Sequence, residues 1–140
     1  MSQIKIADFG LSKIICPNES MMESCGTPAY VAPEVLYKKG YKNHVDMWSA
    51  GVIFYTLVCR ILPFQSQDRK TTFTYIKERQ PDMKNYAFKR FSKETEDIIA
   101  KMLVKNPDNR ITPAQALKHR FFARNGVAKA NVDKNKEFKK

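Results

Sequence analysis

Residues 45–59 limit the possible folds of this chain more than any other segment. Apolar residues occur there on every side of a helix rather than on one face: Trp48, Val52, Ile53, Phe54, Tyr55, Leu57 and Val58. A helix that is apolar all round is either buried inside a domain or crosses a membrane. A membrane span takes about 20 apolar residues, and the most apolar run, residues 50–59, is too short. We therefore predict a buried helix at the centre of the core.

Shorter helices are predicted on both sides of this central helix. A proline near the first turn favours a short helix over residues 32–36. A more exposed helix is predicted over residues 68–79, and a serine N-cap begins another that runs over residues 92–105. The capping-box pattern at residues 112–115 begins a last helix that ends at about residue 119.

The N-terminal part has a different character from the helical remainder. Residues 4–7 alternate apolar and polar side chains, which predicts a short strand or hairpin that ends in a turn. Residues 11–31 show no sustained period, so we predict a long loop, and long ordered loops are usually functional. The predicted class is mainly α, with one domain over residues 1–123 and a basic tail over residues 124–140.

The formal net charge of +11 raises the question of an anionic partner, but only +4 of it lies in residues 124–140 and no single patch dominates. Nucleic-acid sites usually combine a basic patch with a recognisable motif, and none with interleaved aromatic residues is evident. A solvated basic surface is favoured over a dedicated nucleic-acid site. The hypothesis of a nucleic-acid or membrane binder is ranked last. It predicts strongly salt-dependent binding.

The cysteines and the N-terminus indicate the compartment. Cys16, Cys25 and Cys59 form no CxxC pair and no cluster with metal-ligand spacing, so neither a disulfide framework nor a zinc site is predicted. The first residues lack the apolar core of a signal peptide. We expect an intracellular, cytoplasmic protein without a membrane span.

A tripeptide near the N-terminus is the first motif that indicates a chemical function. Asp8-Phe9-Gly10 follows Lys5-Ile6-Ala7, and Ala32-Pro33-Glu34 occurs downstream. This arrangement resembles the activation segment of eukaryotic protein kinases. The resemblance implies that Asp8 holds the magnesium ion that bridges the nucleotide phosphates, that Phe9 packs in the core and that Gly10 allows the turn.

Further motifs resemble segments of protein kinases and follow one another in the same order as in that family. Together with the first motif they cover residues 4–122. They are Gly26-Thr27-Pro28-Ala29-Tyr30-Val31, Asp46-Met47-Trp48-Ser49-Ala50-Gly51-Val52, Pro63-Phe64, Asn106-Pro107-Asp108-Asn109-Arg110 and Ala116-Leu117-Lys118-His119-Arg120-Phe121-Phe122. By resemblance, Thr27 favours Ser/Thr over Tyr substrates, and Asp46 anchors the backbone of the catalytic loop. Trp48 belongs to the buried helix, and Glu34 forms a buried ion pair with Arg110. The implied fold is the helical C-terminal lobe of a kinase.

Other kinase motifs are absent from these 140 residues. The Gly-rich loop, the ATP-binding lysine with its glutamate partner, and the His-Arg-Asp catalytic loop all precede Asp8 in the order of the family. We therefore expect Mg²⁺ and ATP to act in the complete kinase and this chain alone to bind neither tightly. The central helix packs against an earlier helix in the family, so an exposed apolar face and a partner covering it are expected. Because these motifs are missing, we expect the chain that starts at Met1 to be a truncated product, a splice form or an incomplete gene model.

Several residues keep two interpretations. Ser20 and Ser24 lie where activating phosphorylation often occurs, but serines are equally common in solvated loops. His44 and His119 are favoured as loop and helix-end residues over catalysts, and Cys59 as a core residue.

Residues 31–36 and 103–107 resemble the calcium/calmodulin-dependent kinase group, particularly the calcium-dependent kinases of plants and protists. Residues 133–137 lack the glycine and closing glutamate of a calcium loop, so calcium binding is not predicted.

Two main hypotheses follow. The first is an ATP-dependent Ser/Thr protein kinase in which this chain supplies the magnesium-binding turn, the activation loop and the substrate-docking helices. The alternative is a non-catalytic module, derived from a kinase, that binds protein substrates or partners through residues 20–31 and 68–79. The intact motifs favour the first hypothesis, whereas the missing catalytic loop favours the second.

Overall fold

The fold is described from a computed structural model over residues 5–14, 20–21, 27–37 and 40–124. The predicted mainly α class is confirmed, because these residues form six α-helices and three short 3-10 helices. The α-helices are α1 (Pro33–Leu36), α2 (His44–Cys59), α3 (Arg69–Glu78), α4 (Lys93–Met102), α5 (Pro113–Leu117) and α6 (Arg120–Arg124). The 3-10 helices are Pro28–Tyr30, Tyr86–Arg90 and Pro107–Asn109. Residues 125–140 of the basic tail lie outside the described part.

The N-terminal segment forms no strand over residues 5–7, and Ile4 lies outside the described residues. A strand needs a hydrogen-bonded neighbour, but the backbone bond described for this turn is local, from Ser12 N to the Phe9 carbonyl at 3.0 Å. Within the described ranges the β pairing is one antiparallel bridge between Met21 and Tyr41.

Helix α2 forms the centre of the core, as its composition predicts. Trp48 and Val52 are fully buried, and α4 packs across α2. The two helices approach closely at Gly51, where an added Cβ atom would lie 2.8 Å from the Cβ atom of Met102. A larger residue at this position would therefore push the two helices apart.

The prediction that α2 is buried on every side is wrong for one side. Ile53 is 51% exposed and Leu57 is 68% exposed. No element in the described part of the chain packs on this side, so two apolar side chains face solvent. This agrees with the exposed apolar face that the kinase resemblance implies.

Helix starts follow the predicted capping residues. The Ser92 and Thr112 side chains accept hydrogen bonds from backbone N–H groups in the first turns of α4 and α5, and Thr112 forms a complete capping box with Gln115. Asp68 accepts hydrogen bonds from the Thr71 N–H and hydroxyl at the start of α3, and these bonds hold the pKa of the Asp68 carboxyl below its usual value.

Helix ends agree less well with the prediction. Helix α4 ends at Met102 rather than at residue 105, because the Lys101 carbonyl, which the Lys105 N–H would need in a longer helix, accepts the Ile111 N–H at 3.2 Å. The closing segment is two short helices, α5 and α6, and the chain turns between them at His119. In the described ranges no helix combines the length and apolar character that crossing a bilayer requires.

Candidate functional site

Arg110 joins three segments of the chain through its guanidinium group, which is buried at 2% exposure. Its Nε donates to the Val104 carbonyl at 2.9 Å, and one terminal nitrogen donates to Glu34 Oε1 at 2.6 Å and to the His44 carbonyl at 2.8 Å. The other terminal nitrogen donates to Glu34 Oε2 at 2.8 Å and to the Lys105 carbonyl at 3.3 Å. All five N–H groups of the guanidinium therefore have acceptors.

The local sequence brings the two charged side chains together. Pro33 begins α1 and is itself buried, as are Ala32 and Val35, so the short helix lies against the core with Glu34 directed at Arg110. On the other side, Asn106 caps the 3-10 helix Pro107–Asn109 and sets the turn that leads into Arg110. The pair thus fastens the segment after the long loop to the helical core.

Trp48 forms the apolar wall of this cluster and is fully buried. Its ring stacks on Phe64 with centroids 5.5 Å apart and planes 10° apart, and the Arg110 guanidinium carbon lies 5.2 Å from its centroid. Its Nε1 hydrogen has no acceptor among the described residues. An unsatisfied buried N–H costs about 1–3 kcal/mol, so Trp48 is held by packing rather than by hydrogen bonding.

Lys105 is a member of this cluster that the sequence does not reveal. Its ammonium donates to the Ile76 carbonyl and lies 4.7 Å from the Phe64 ring centroid and 5.5 Å from that of Trp48. Burial lowers the pKa of Lys105 to about 8, although the carbonyl and the two rings favour the charged form. The contact spans 29 residues, so no local sequence signal could predict it.

The Asp8-Phe9-Gly10 turn lies on the surface. Asp8 has a left-handed backbone with φ of 63°, which is uncommon for a residue other than glycine, and its Oδ1 accepts the Gly10 N–H at 3.2 Å. The Ser12 hydroxyl donates to the Phe9 carbonyl at 2.6 Å. Strained, exposed backbone of this kind often occurs at ligand-binding positions.

The expectation that Phe9 packs in the core is wrong, because its side chain is 66% exposed. The described hydrogen bonds around it join residues within the same turn, and no element of the described chain covers its ring. Phe9 is thus available for contact with another surface.

Asp8 is the residue that the kinase resemblance assigns to magnesium. Hard divalent cations such as Mg²⁺ are bound by one or two carboxylates together with water and phosphate oxygens. The described residues contain no group of three or more His, Cys, Asp or Glu side chains placed to hold a metal ion. Asp8 is thus a single candidate ligand, and the described protein groups do not form a complete magnesium site.

A cavity of about 240 Å³ lies between the end of the long loop and the start of α2. Its lining includes Met21, Thr27, Tyr30, Tyr41 and Asp46. The Ser49 hydroxyl donates to the Tyr30 carbonyl at 3.0 Å and fixes the 3-10 helix Pro28–Tyr30 to α2. Thr27 and Asp46, which the sequence assigns to different roles, therefore line one concave surface.

The remaining candidate residues are spread over the surface and the core. Ser20 is exposed, and Ser24 lies outside the described residues. His44 contributes its carbonyl to Arg110, whereas His119 Nε2 lies 2.8 Å from Asp97 Oδ2 and connects the last helices to α4. Cys59 is buried, and burial raises the pKa of its thiol.

Comparison with known proteins gives consistent results. Residues 1–122 match the protein kinase domain family. A probable myosin light chain kinase of Dictyostelium discoideum is 41% identical over 122 residues, which cover 87% of this chain and 31% of that protein. Myosin light chain kinase A of the same organism is 43% identical over 88% of this chain and 42% of its own length. Serine/threonine-protein kinase 17A of Oryctolagus cuniculus is 37% identical over 91% of this chain and 32% of its own length.

The chain thus spans about a third to two fifths of the length of these relatives. The matched region contains the Asp8 turn, the cavity beside Thr27 and the Glu34–Arg110 pair. Because the match covers most of the 140 residues, the chain belongs to the protein kinase domain family.

Proposed function

We propose that this chain supplies the magnesium-binding turn, the activation segment and the substrate-docking helices of an ATP-dependent Ser/Thr protein kinase. The observation that carries the proposal is the bonding of Arg110: its guanidinium donates two hydrogen bonds to Glu34 and three to backbone carbonyls, which fastens Glu34 to the core. A buried bidentate pair of this kind is geometrically specific. The segment before Glu34 is thereby held beside α2, where Thr27 lines the cavity.

In this proposal Asp8 provides one magnesium ligand, and the phosphates of ATP with other groups provide the rest. In this family Mg²⁺ neutralises the charge that develops on the transferred phosphoryl group. The exposed Asp8 carboxylate is accessible for that role. We also propose that Thr27, in the cavity lining, contacts the residue after a substrate serine or threonine, and that Asp46, in the first turn of α2, holds the catalytic-loop backbone.

Phosphorylation is part of the same proposal. Ser20 is exposed and precedes Met21, whose backbone pairs with Tyr41 at 2.8 and 2.9 Å. A phosphate at Ser20 or Ser24 would add negative charge that arginine side chains can bind, which orders loops of this kind. We expect phosphorylation there to activate the kinase. We place the protein in the cytoplasm, where ATP is available.

The 140 residues alone are proposed to be inactive. They contain no His-Arg-Asp sequence, and positioning by the catalytic loop and the ATP-binding lysine supplies most of phosphoryl-transfer catalysis. The exposed apolar side of α2 is proposed to be covered by another part of the kinase or by a partner, since apolar patches on soluble proteins mark contact surfaces.

The test is a phosphorylation assay with radiolabelled ATP on two proteins. The first is the purified 140-residue chain. The second is myosin light chain kinase A of D. discoideum with its matched segment replaced by residues 1–122. We expect no transfer from the first and transfer to serine and threonine peptides, but not to a tyrosine peptide, from the second. A folded hybrid without activity would contradict the proposed function, and transfer by the isolated chain would contradict its proposed inactivity.

A further inference from the structure

A second groove lies at the start of α4 and shares no lining residue with the cavity beside Thr27. Its volume is about 400 Å³, and a neighbouring cavity of about 300 Å³ continues it along α4 as far as Ala100. Met83, Phe88 and Phe91 form the apolar part of the lining, and Lys84, Lys89 and Lys93 are basic residues in the same lining. Its size is within the range of pockets that hold several side chains or a small ligand.

The groove is built by contacts with the core rather than by a loose loop. The Tyr55 hydroxyl donates to the Asp82 carbonyl at 3.1 Å, and the Tyr55 ring meets the buried Phe88 ring edge-on with centroids 5.8 Å apart. Asn85 caps the 3-10 helix Tyr86–Arg90 by accepting the Ala87 N–H at 2.9 Å. Contacts within the chain therefore define the shape of the groove.

The charge of the groove is strongly asymmetric. Residues 84–93 contain four basic side chains and no acidic one. Two carboxylates line the groove and its continuation: Glu96 lies 3.3 Å from Lys93, and Asp97 is held by Lys101 at 2.7 Å and by His119 at 2.8 Å. Beside the groove, Asp82 Oδ1 accepts the Lys84 backbone N–H at 3.0 Å. In the described part of the chain, Lys84 and Lys89 have no carboxylate partner. The lining of the groove thus carries net positive charge, with three lysines against one glutamate.

Charge also limits what can occupy the groove. The tail over residues 124–140 carries +4 and a second copy of the chain carries +11, so both are repelled by a basic rim. An acidic partner is attracted, and the apolar lining needs an apolar side chain to exclude water from it. These two requirements together describe an acidic peptide with an apolar residue in its middle.

We propose that this groove docks an acidic segment of a partner protein, with an apolar side chain among Met83, Phe88 and Phe91 and carboxylates beside Lys84 and Lys89. The inference goes beyond the proposed function because the groove contains neither Asp8 nor Thr27. Exposed ion pairs contribute little affinity each and are screened by salt, so the lysines steer the partner while the apolar contact holds it.

The experiment measures binding of a fluorescent peptide to the full 140-residue chain by anisotropy, without ATP or Mg²⁺. The peptide has a central leucine flanked by glutamates. We expect saturable binding that weakens as salt rises, that is lost when the glutamates become lysines, and that weakens when the leucine becomes serine. Because no nucleotide is needed, failure of this docking is distinguishable from failure of the proposed kinase function.

Matched charge reversals locate the site. Lys84→Glu with Lys89→Glu is expected to weaken binding by about tenfold or more. Lys70→Glu with Lys118→Glu makes the same change in net charge at exposed positions outside the groove and should weaken binding much less. Far-UV circular dichroism checks that both variants fold, and Phe91→Ala tests the apolar contact without changing charge.

Three outcomes would overturn the proposal. One is absence of peptide binding by the folded chain. Another is equal weakening by both charge reversals, which would show only a general effect of net charge. The third is tighter binding of a single-stranded oligonucleotide of the same charge that competes with the peptide, which would assign the basic rim to nucleic acid.

Discussion

Replacing Glu34 by glutamine tests the buried pair on which the placement of the activation segment depends. The substitution keeps the size of the side chain but removes its charge, so the Arg110 guanidinium stays buried without a counterion. The carbonyls of His44, Val104 and Lys105 and the one amide oxygen of the new side chain would remain as its acceptors. Dipoles compensate a buried charge only in part, so we expect the folded state to lose stability.

The size of the loss follows from burial. Breaking a buried ion pair by removing one partner costs about 3–5 kcal/mol. The Glu34 side chain is 12% exposed and that of Arg110 is fully buried, so water can reach the carboxylate but hardly the cation. We therefore expect a loss near the lower end, about 3 kcal/mol, which is a large part of the roughly 5–15 kcal/mol that holds a domain folded.

Guanidinium unfolding of the isolated chain measures this loss. Far-UV circular dichroism follows the helices, and fluorescence follows Trp48, the one tryptophan of the chain. Coincidence of the two transitions justifies a two-state free energy. Glu78→Gln, at an exposed position at the end of α3, removes the same charge outside the pair and should change the free energy of unfolding by about 0.5 kcal/mol or less.

A double-mutant cycle separates the pair from other effects. Arg110→Met and Glu34→Gln combined should cost less than the sum of the two single losses by about 1 kcal/mol or more, because each single change leaves a charged group without its partner. A Glu34→Gln loss as small as that of Glu78→Gln, together with additivity in the cycle, would refute the role given to the pair.

Three further predictions concern the helical core. In the folded chain the pKa of Lys105 is lowered to about 8 from 10.5, so the unfolded chain binds the proton more tightly. The free energy of unfolding of the unmodified chain should therefore rise with pH between these values, and Lys105→Met should remove this rise. An unchanged slope in denaturant titrations over this window would contradict this. Gly51→Ala should destabilise the chain by about 1–3 kcal/mol, despite the better helix propensity of alanine, because the new Cβ meets α4 at Met102. A thermal midpoint equal to or above that of the unmodified chain would count against this close approach. Thr112→Ala should lower the free energy of unfolding by about 1 kcal/mol because it removes the capping box, and thermal melts measure this loss. If Gln115→Ala does not also destabilise the chain, the result would argue against a reciprocal capping box.

Local sequence signals predict the helix starts and the central helix well. Ser92 and Thr112 satisfy N–H groups within their own helices, and Pro33 fixes the backbone where α1 begins. Such interactions join residues a few positions apart, so a short stretch of sequence contains the information. The position of α2 is predicted to within one residue for the same reason, since its apolar composition is a property of the segment itself.

Long-range contacts account for what the sequence does not reveal. Helix α4 ends early because the Lys101 carbonyl accepts the Ile111 N–H, and the buried ammonium of Lys105 depends on a carbonyl 29 residues away. The exposure of Ile53 and Phe9 depends on which surfaces cover them, which composition does not specify. Only the resemblance to kinases predicts the Glu34–Arg110 contact, because 76 residues separate the two side chains.

The magnesium dependence of the kinase hybrid tests the central claim, the role of Asp8, most directly. Phosphoryl transfer is measured against Mg²⁺ concentration for the hybrid, for Asp8→Asn and for Asp108→Asn, a control at another exposed aspartate. If Asp8 holds the metal, Asp8→Asn should lower kcat by at least about a hundredfold and raise the Mg²⁺ concentration required, because a metal ligand contributes several kcal/mol to transition-state stabilisation. The control should behave like the unmodified hybrid. Unchanged kcat and unchanged magnesium dependence in Asp8→Asn would contradict the assignment.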